Sequence, residues 1–353
     1  MSNIIHGHFP QSVDTSIGNP AALLRSVAQH RCPRDDVYWL KENAELLGML
    51  ACTGVSVPGD ALSPYVSFYE TAPAFIDFFP QYYRFILSIC LDLEDLGMGG
   101  DHGSALCARV VAGGASFAEL SDLQRAEAGR LLARRGVARQ DADLRRRLRD
   151  FAGAREGFAV PNRKAAYELT HIVFYLSDYG RRDPCLCPET IVNLDDLGLV
   201  ALLDQDHDLL AEVCLALRFA GAEPDPFWEI EVAGAHRAML SLPLQEPAGT
   251  DDYHVWLTTG WLLRHKGMRA FENARTGGLL AIRALRQPPS ILRQMSHRLY
   301  KQGEARRANW SAMKDELIPV LKPDSHDLLT KAERSSPRFA EFFARFARIP
   351  RAA

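Results

Sequence analysis

Ala166-Tyr-Glu-Leu-Thr-His-Ile-Val-Phe-Tyr-Leu-Ser-Asp-Tyr-Gly180 is the stretch on which the architecture turns. Read at about 100° per residue, Leu169, Ile172, Val173 and Leu176 fall on one stripe. Glu168, His171, Tyr175 and Asp178, at i, i+3, i+7 and i+10, fall on a second. Phe174 covers much of what remains, so little plain solvent face is left. Such a helix is buried, and its polar stripe must face a satisfied internal network or a cavity. Gly180 ends it as a C-cap.

The same periodicity recurs on both sides. Val37, Leu40, Ala44, Leu47 and Ala51 step by three and four residues through a segment opened by Asp35 and Asp36 and stopped by Gly54. Tyr83 to Leu96 forms an apolar helix that ends at Gly97-Met98-Gly99-Gly100, and Ser116 to Gly136 forms another, with Ser116 and Glu119 as a capping box. After a connector at Val160-Pro161-Asn162, helices are predicted at about 163–179, 189–203, 206–220, 226–240 and 252–265, followed by a polar, helical C-terminal third. Period-two alternation bounded by hairpin turns is missing, so no strand is predicted. Helix pairs recurring at about 35 to 45 residues predict an all-α protein of stacked helical hairpins, as in a solenoid or an α/α toroid. Residues 1–30, without a period, read as an N-terminal arm, and 31–353 as one large helical domain with a sub-boundary near 155–163.

Composition narrows the class of partner. The 353 residues are 47% hydrophobic and 24% charged, as in ordinary globular proteins, and the net charge of -3 gives no general attraction to nucleic acid or an anionic membrane. No apolar run approaches the roughly 18 residues that span a bilayer. Seven cysteines, four of them inside apolar helical patterns, and a start without a basic and apolar leader predict a reduced, cytoplasmic protein. Arg145-Arg146-Arg147-Leu148-Arg149 lies among Asp141, Asp143 and Asp150 and reads as a solvated helix face.

Three segments carry candidate chemistry. His171 and Asp178 stand two turns apart, so the carboxylate can bind a metal beside the imidazole or orient it. In Asp204-Gln-Asp-His-Asp-Leu-Leu-Ala-Glu212, the residues Asp204 and Asp206 suit an N-cap, whereas Asp208 and Glu212 project together from an otherwise apolar helix. In Asp251-Asp-Tyr-His-Val-Trp-Leu-Thr-Thr-Gly-Trp261, His254, Thr258 and Trp261 share a face. His171 to Asp208 is 37 residues and Asp208 to His254 is 46, about one helical hairpin each, so the segments are expected as successive inner helices around one cavity.

Two imidazoles with one or two carboxylates would form a 2-His-1-carboxylate site or a zinc site with an open position. His171, Asp178, Asp208 and His254 are the expected ligands of one divalent metal ion, iron or zinc. Iron would suit an oxygenase; zinc would suit a hydrolase, lyase or cyclase acting on a small or peptidyl metabolite. Tyr175 is a candidate acid, and Glu212 a candidate base if Asp178 takes the metal. A non-catalytic scaffold or partner protein, with each polar stripe an internal network, is the contrasting class. Glu168 with His171 and Asp204 with His207 also resemble the half-sites of ferritin-like di-iron proteins, for which Glu42, Glu45 and Glu94 are the further carboxylates on offer.

Other signals are bland. Cys185-Leu-Cys187-Pro188 lacks metal or redox spacing and reads as a loop before a Pro-started helix, and Gly97 to Gly103 as an interhelical loop. Phe75, Phe78, Phe79, Tyr82, Tyr83 and Phe85 read as core. Gly-x-Ser-x-Gly and His-Glu-x-x-His are both missing.

Leu169 to Gly180, with Asp208-Leu-Leu-Ala-Glu212 and Tyr253-His254 downstream, resembles an uncharacterised family of bacterial helical proteins encoded in natural-product gene clusters. The resemblance covers about residues 165–265; Ser177, Tyr179 and Val255-Trp256 depart from its pattern. It implies a biosynthetic role, with His171, Asp178, Asp208, Glu212 and His254 as the positions carried over, and it implies no particular reaction.

Overall fold

Helix boundaries follow caps written into the sequence. The structure is a computed structural model that describes residues 20–138, 141–154, 157–244, 251–272, 279–284 and 290–349. Pro20–His30 forms helix α1, with Leu23, Leu24 and Val27 buried, so this part of the expected arm belongs to the core; residues 1–19 lie outside the described residues. Helix α2 spans Val37–Thr53, its first turn capped by the Asp36 carboxylate and its end set by Gly54 in the left-handed region. Then come α3 (Val66–Phe78), α4 (Tyr83–Asp95), α5 (His102–Ala112), α6 (Asp122–Ala133) and α7 (Ala142–Ala152). The cap of α6 is Ser121, not Ser116: the Ser121 hydroxyl accepts from the Gln124 N–H, and residues 115–118 form a separate 3-10 turn.

The second half runs α8 (Arg163–Ser177), α9 (Pro188–Asp204), α10 (His207–Phe219), α11 (Pro226–Arg237) and, after strand β1 (Met239–Leu244), α12 (Tyr253–His265). Strand β2 (Leu279–Ala284) precedes α13 (Ile291–Gln302), α14 (Trp310–Leu317), α15 (Pro323–Ser335) and α16 (Phe339–Phe346). Among the described residues the protein is all-α apart from β1 and β2, which pair antiparallel with Met239 opposite Ala284. No strand was expected there. Each is six residues long, Pro243 interrupts the first, and the partner lies some 40 positions away, beyond any hairpin signal. The pair anchors the start of α12: Asp251 accepts from the Ile282 N–H and Asp252 from the Ala284 N–H.

Alternate helices close a ring. In turn α2 packs on α4, α4 on α6, α6 on α8, α8 on α10 and α10 on α12, and α12 returns to α2. The intervening helices flank this ring, α7 against α6 and α8, α9 against α8 and α10, and α11 against α10 and α12. This is the toroidal form of the stacked-hairpin expectation. All residues from Asp208 to Leu217 of α10 are buried, so its apolar side chains, each stabilising by about 1.5–3 kcal/mol, hold Asp208 and Glu212 inside the protein. Close crossings use glycine: a Cβ on Gly198 would sit 2.2 Å from the Trp228 ring, and one on Gly260 2.3 Å from Phe271. All seven cysteines are free, and no described helix is long and apolar enough to cross a membrane.

Candidate active site

The six ring helices all contribute to one small internal cavity of about 90 Å³. Glu45 comes from α2, Asp92 from α4, Arg130 from α6, His171 from α8, Glu212 from α10 and His254 from α12. The two imidazoles, more than eighty positions apart in sequence, therefore line the same space.

Asp208 organises one side. Its Oδ1 accepts from the Thr258 hydroxyl at 2.7 Å, its Oδ2 from the Tyr167 hydroxyl at 2.5 Å, and both oxygens lie 2.9–3.0 Å from His254 Nδ1. Burial alone would push this carboxyl up, but the hydrogen bond and charge of His254, with the Tyr167 and Thr258 hydroxyls, hold it well below the usual carboxylate range. Reciprocally, His254 is raised to about 9: burial opposes its charge, but Asp208, Glu45 and Glu212 outweigh that cost. The far ring nitrogen, Nε2, lies 3.6 Å from Glu45 Oε1. Glu45 Oε2 is buried and has no hydrogen-bond partner among the described residues.

His171 is held by its own helix. Its Nδ1 lies 2.8 Å from the Tyr167 carbonyl oxygen, which can only accept, so Nδ1 carries the proton and Nε2 keeps its lone pair when the ring is neutral. Glu212 Oε2 accepts from the Thr170 hydroxyl at 2.6 Å and lies 3.6 Å from His171 Nδ1. Burial raises the Glu212 carboxyl, with His171 opposing the rise. Asp208, Glu212 and His254 each offer a donor atom within 4.8 Å of the others, a spacing that can take a metal ion. His171 stands beside that set through Glu212.

Neither Asp178 nor Tyr175, the expected ligand and acid, lines this cavity. Helix α8 stops at Ser177, and Asp178 follows in the left-handed region at φ 50°, where its carboxylate faces Arg130 at 3.4 Å and Arg181 at 3.8 Å. An ideal helix carried past its real end would have aligned it with His171. Tyr175 stays edge-on to His171, ring centroids 5.9 Å apart, but it lines a second cavity and not that of His171, and burial raises its hydroxyl. The residues that share the site with His171 are Tyr167, Thr170 and Phe174. The di-iron grouping is not assembled either: Asp204 accepts from Ser290, Glu94 accepts from Tyr69 and Arg135, and Glu42 pairs with Arg31.

Sequence reasoning passed over Tyr167 and Arg130, and weighed Glu45 only for the di-iron grouping. Tyr167 carries a signal, one helical turn before His171 on the same face; Glu45 and Arg130 reach the cavity through long-range closure that no local spacing encodes. No curated protein and no solved structure matches this chain. A family model described as a domain of unknown function, DUF6902, matches residues 1–349. The chain belongs to the DUF6902 family.

Proposed function

We propose that the protein is a metal-dependent enzyme that acts on a small or peptidyl metabolite at the His171/Glu212/His254 cavity. One observation carries this: two histidines that line one cavity each have Nδ1 fixed by a protein acceptor, His171 by the Tyr167 carbonyl and His254 by Asp208, so that Nε2 is the nitrogen each would offer a metal. Metal-binding histidines are oriented in this way by an acceptor on the other ring nitrogen. The ligands are then His171, His254 and Glu212, with Asp208 as the carboxylate that positions His254. Asp208 already accepts from three side chains, which suits it to holding the ring. The buried carboxylates that favour a proton on His254 favour a divalent cation, iron or zinc, by the same attraction. Such an ion would polarise a carbonyl or lower the pKa of bound water. Glu45, with Oε1 3.6 Å from His254 Nε2 and Oε2 unpartnered among the described residues, would take up a proton. A role in secondary metabolism rests on the sequence resemblance over residues 165–265.

Elemental analysis of the purified protein, as isolated and after dialysis against zinc or anaerobic ferrous iron, tests this. Close to one equivalent of metal is expected, lost in His171→Ala and His254→Ala and retained in Asp178→Ala. The scaffold alternative draws on the fully bonded Asp208; it expects no metal under either condition and histidine variants that only melt earlier.

A further inference from the structure

We propose that the second cavity, between α6, α7 and the end of α8, is a binding site for a small apolar carboxylate. The space is about 340 Å³, within the range of roughly 300–1,000 Å³ that small-molecule sites occupy. Its walls are apolar, with Ala126, Leu132, Leu144 and Leu148 facing Phe117, whose ring is 83% exposed at the mouth. An apolar body lying there would remove that ring from water.

The charge of the lining fixes the sign of the ligand. Arg125, Arg130, Arg145 and Arg182 line the cavity, with Asp141 the one acidic residue among the described lining; behind the wall Asp122 lies 4.0 Å from Arg125 and Asp178 3.4 Å from Arg130, so Arg145 and Arg182 face the space as the cations for a ligand. Asp141 is already committed to capping α7, accepting from the Asp143 and Leu144 N–H groups. Arg182 donates to the Leu176 and Tyr175 carbonyls, so its charge is held at the wall without being neutralised by those contacts. Arg145 is lowered by burial and by the neighbouring charges of Arg182 and Arg149, so a carboxylate at this wall would meet two guanidiniums close to one another. Arg130 separates this space from the His171 cavity, stacked over Tyr179 at 4.7 Å and Tyr175 at 5.8 Å; one terminal nitrogen pairs with Asp178 at 3.4 Å, and its buried Nε has no partner among the described residues.

Gly129 allows a test that leaves the fold intact. It lines the cavity, and a Cβ built on it would meet nothing within 4 Å, so a larger side chain grows into the space. Calorimetric titration at pH 7 would use octanoate, 1-octanol and acetate as probes. Octanoate is expected to bind, octanol roughly tenfold or more weakly because it cannot form charge-assisted hydrogen bonds, and acetate not measurably. Gly129→Leu is expected to abolish octanoate binding without lowering the melting temperature, and Arg145→Gln to erase the preference for octanoate over octanol. No octanoate binding up to millimolar concentration, equal binding by Gly129→Leu, or a preference unaltered in Arg145→Gln would each overturn the assignment. Metal content at His171 and His254 should be the same in both variants, so the two proposals fail separately.

Discussion

Asp208 shows how much one carboxylate can fix. Three donors from two other ring helices converge on it, so the side chain sets both the tautomer of His254 and the packing of α8 and α12 against α10. The linkage has a definite sign. The folded pKa of His254 is raised to about 9, above the ordinary value near 6.5, so its contribution to stability is complete below about pH 6.5 and is lost as pH rises towards 9. The depressed Asp208 carboxyl stabilises above its ordinary value of about 3.9, and that contribution is lost as pH falls through the lower folded value. In the metal-free protein Asp208→Asn is therefore expected to bring the His254 titration down, read from its ring proton shifts by NMR, and to weaken the alkaline fall in stability. A His254 that still titrates near 9 in the variant would mean that Glu45 and Glu212 alone set its charge. Tyr167→Phe removes one of the donors; about 1–3 kcal/mol of stability should be lost in a urea melt, because the hydroxyl bonds an ionised group.

At the scale of helices, the apolar spacing of α2, α4, α8, α9, α10 and α12 was legible because burial of a stripe is a local pattern. Helix ends were less so. A two-turn stripe from His171 to Asp178 assumes a helix longer than α8, and once the backbone enters the left-handed region at Asp178 the phase relation is gone. The Arg145–Arg149 cluster was read as a solvated face, and half of it is: Arg146 and Arg147 are exposed and pair with Asp150 and Asp122, while Arg145 faces a cavity. Helix crossings were not legible either, since a glycine in a helix does not name what it touches. Gly198 and Gly129 make opposite predictions here. Gly198→Ala drives a methyl into Trp228 and should cost about 1–3 kcal/mol by overpacking. Gly129→Ala enters open space within α6 and should stabilise by about 0.5–1 kcal/mol through helix propensity. Parallel urea denaturation of the two variants checks both signs.

The ring as a whole is closed by contacts between its first and last members, and these are beyond local sequence patterns. Spacings of one hairpin between His171, Asp208 and His254 predicted inner helices facing one cavity; nothing in them said that α2 would complete the circle and bring Glu45 to His254. The closure has a polar pin. Arg31, just past α1, reaches Glu42 on α2 at 2.7 and 2.8 Å and Asp251 before α12 at 3.0 Å, with its guanidinium 4.3 Å above the Tyr253 ring. The Tyr253 hydroxyl in turn donates to the Glu42 carbonyl, so four residues from three segments form one buried unit. Removing its only cation leaves two buried carboxylates facing each other, and breaking a buried pair in this way costs about 3–5 kcal/mol. Arg31→Met should therefore lower stability by that amount. Because α2 and α12 carry Glu45 and His254, it should also weaken metal uptake at a site it does not touch. Arg31→Met combined with Glu42→Gln removes one of the orphaned charges and should recover part of both losses. Equal stability of the single and double variants would show that packing of α2 on α12, and not the charge cluster, closes the ring.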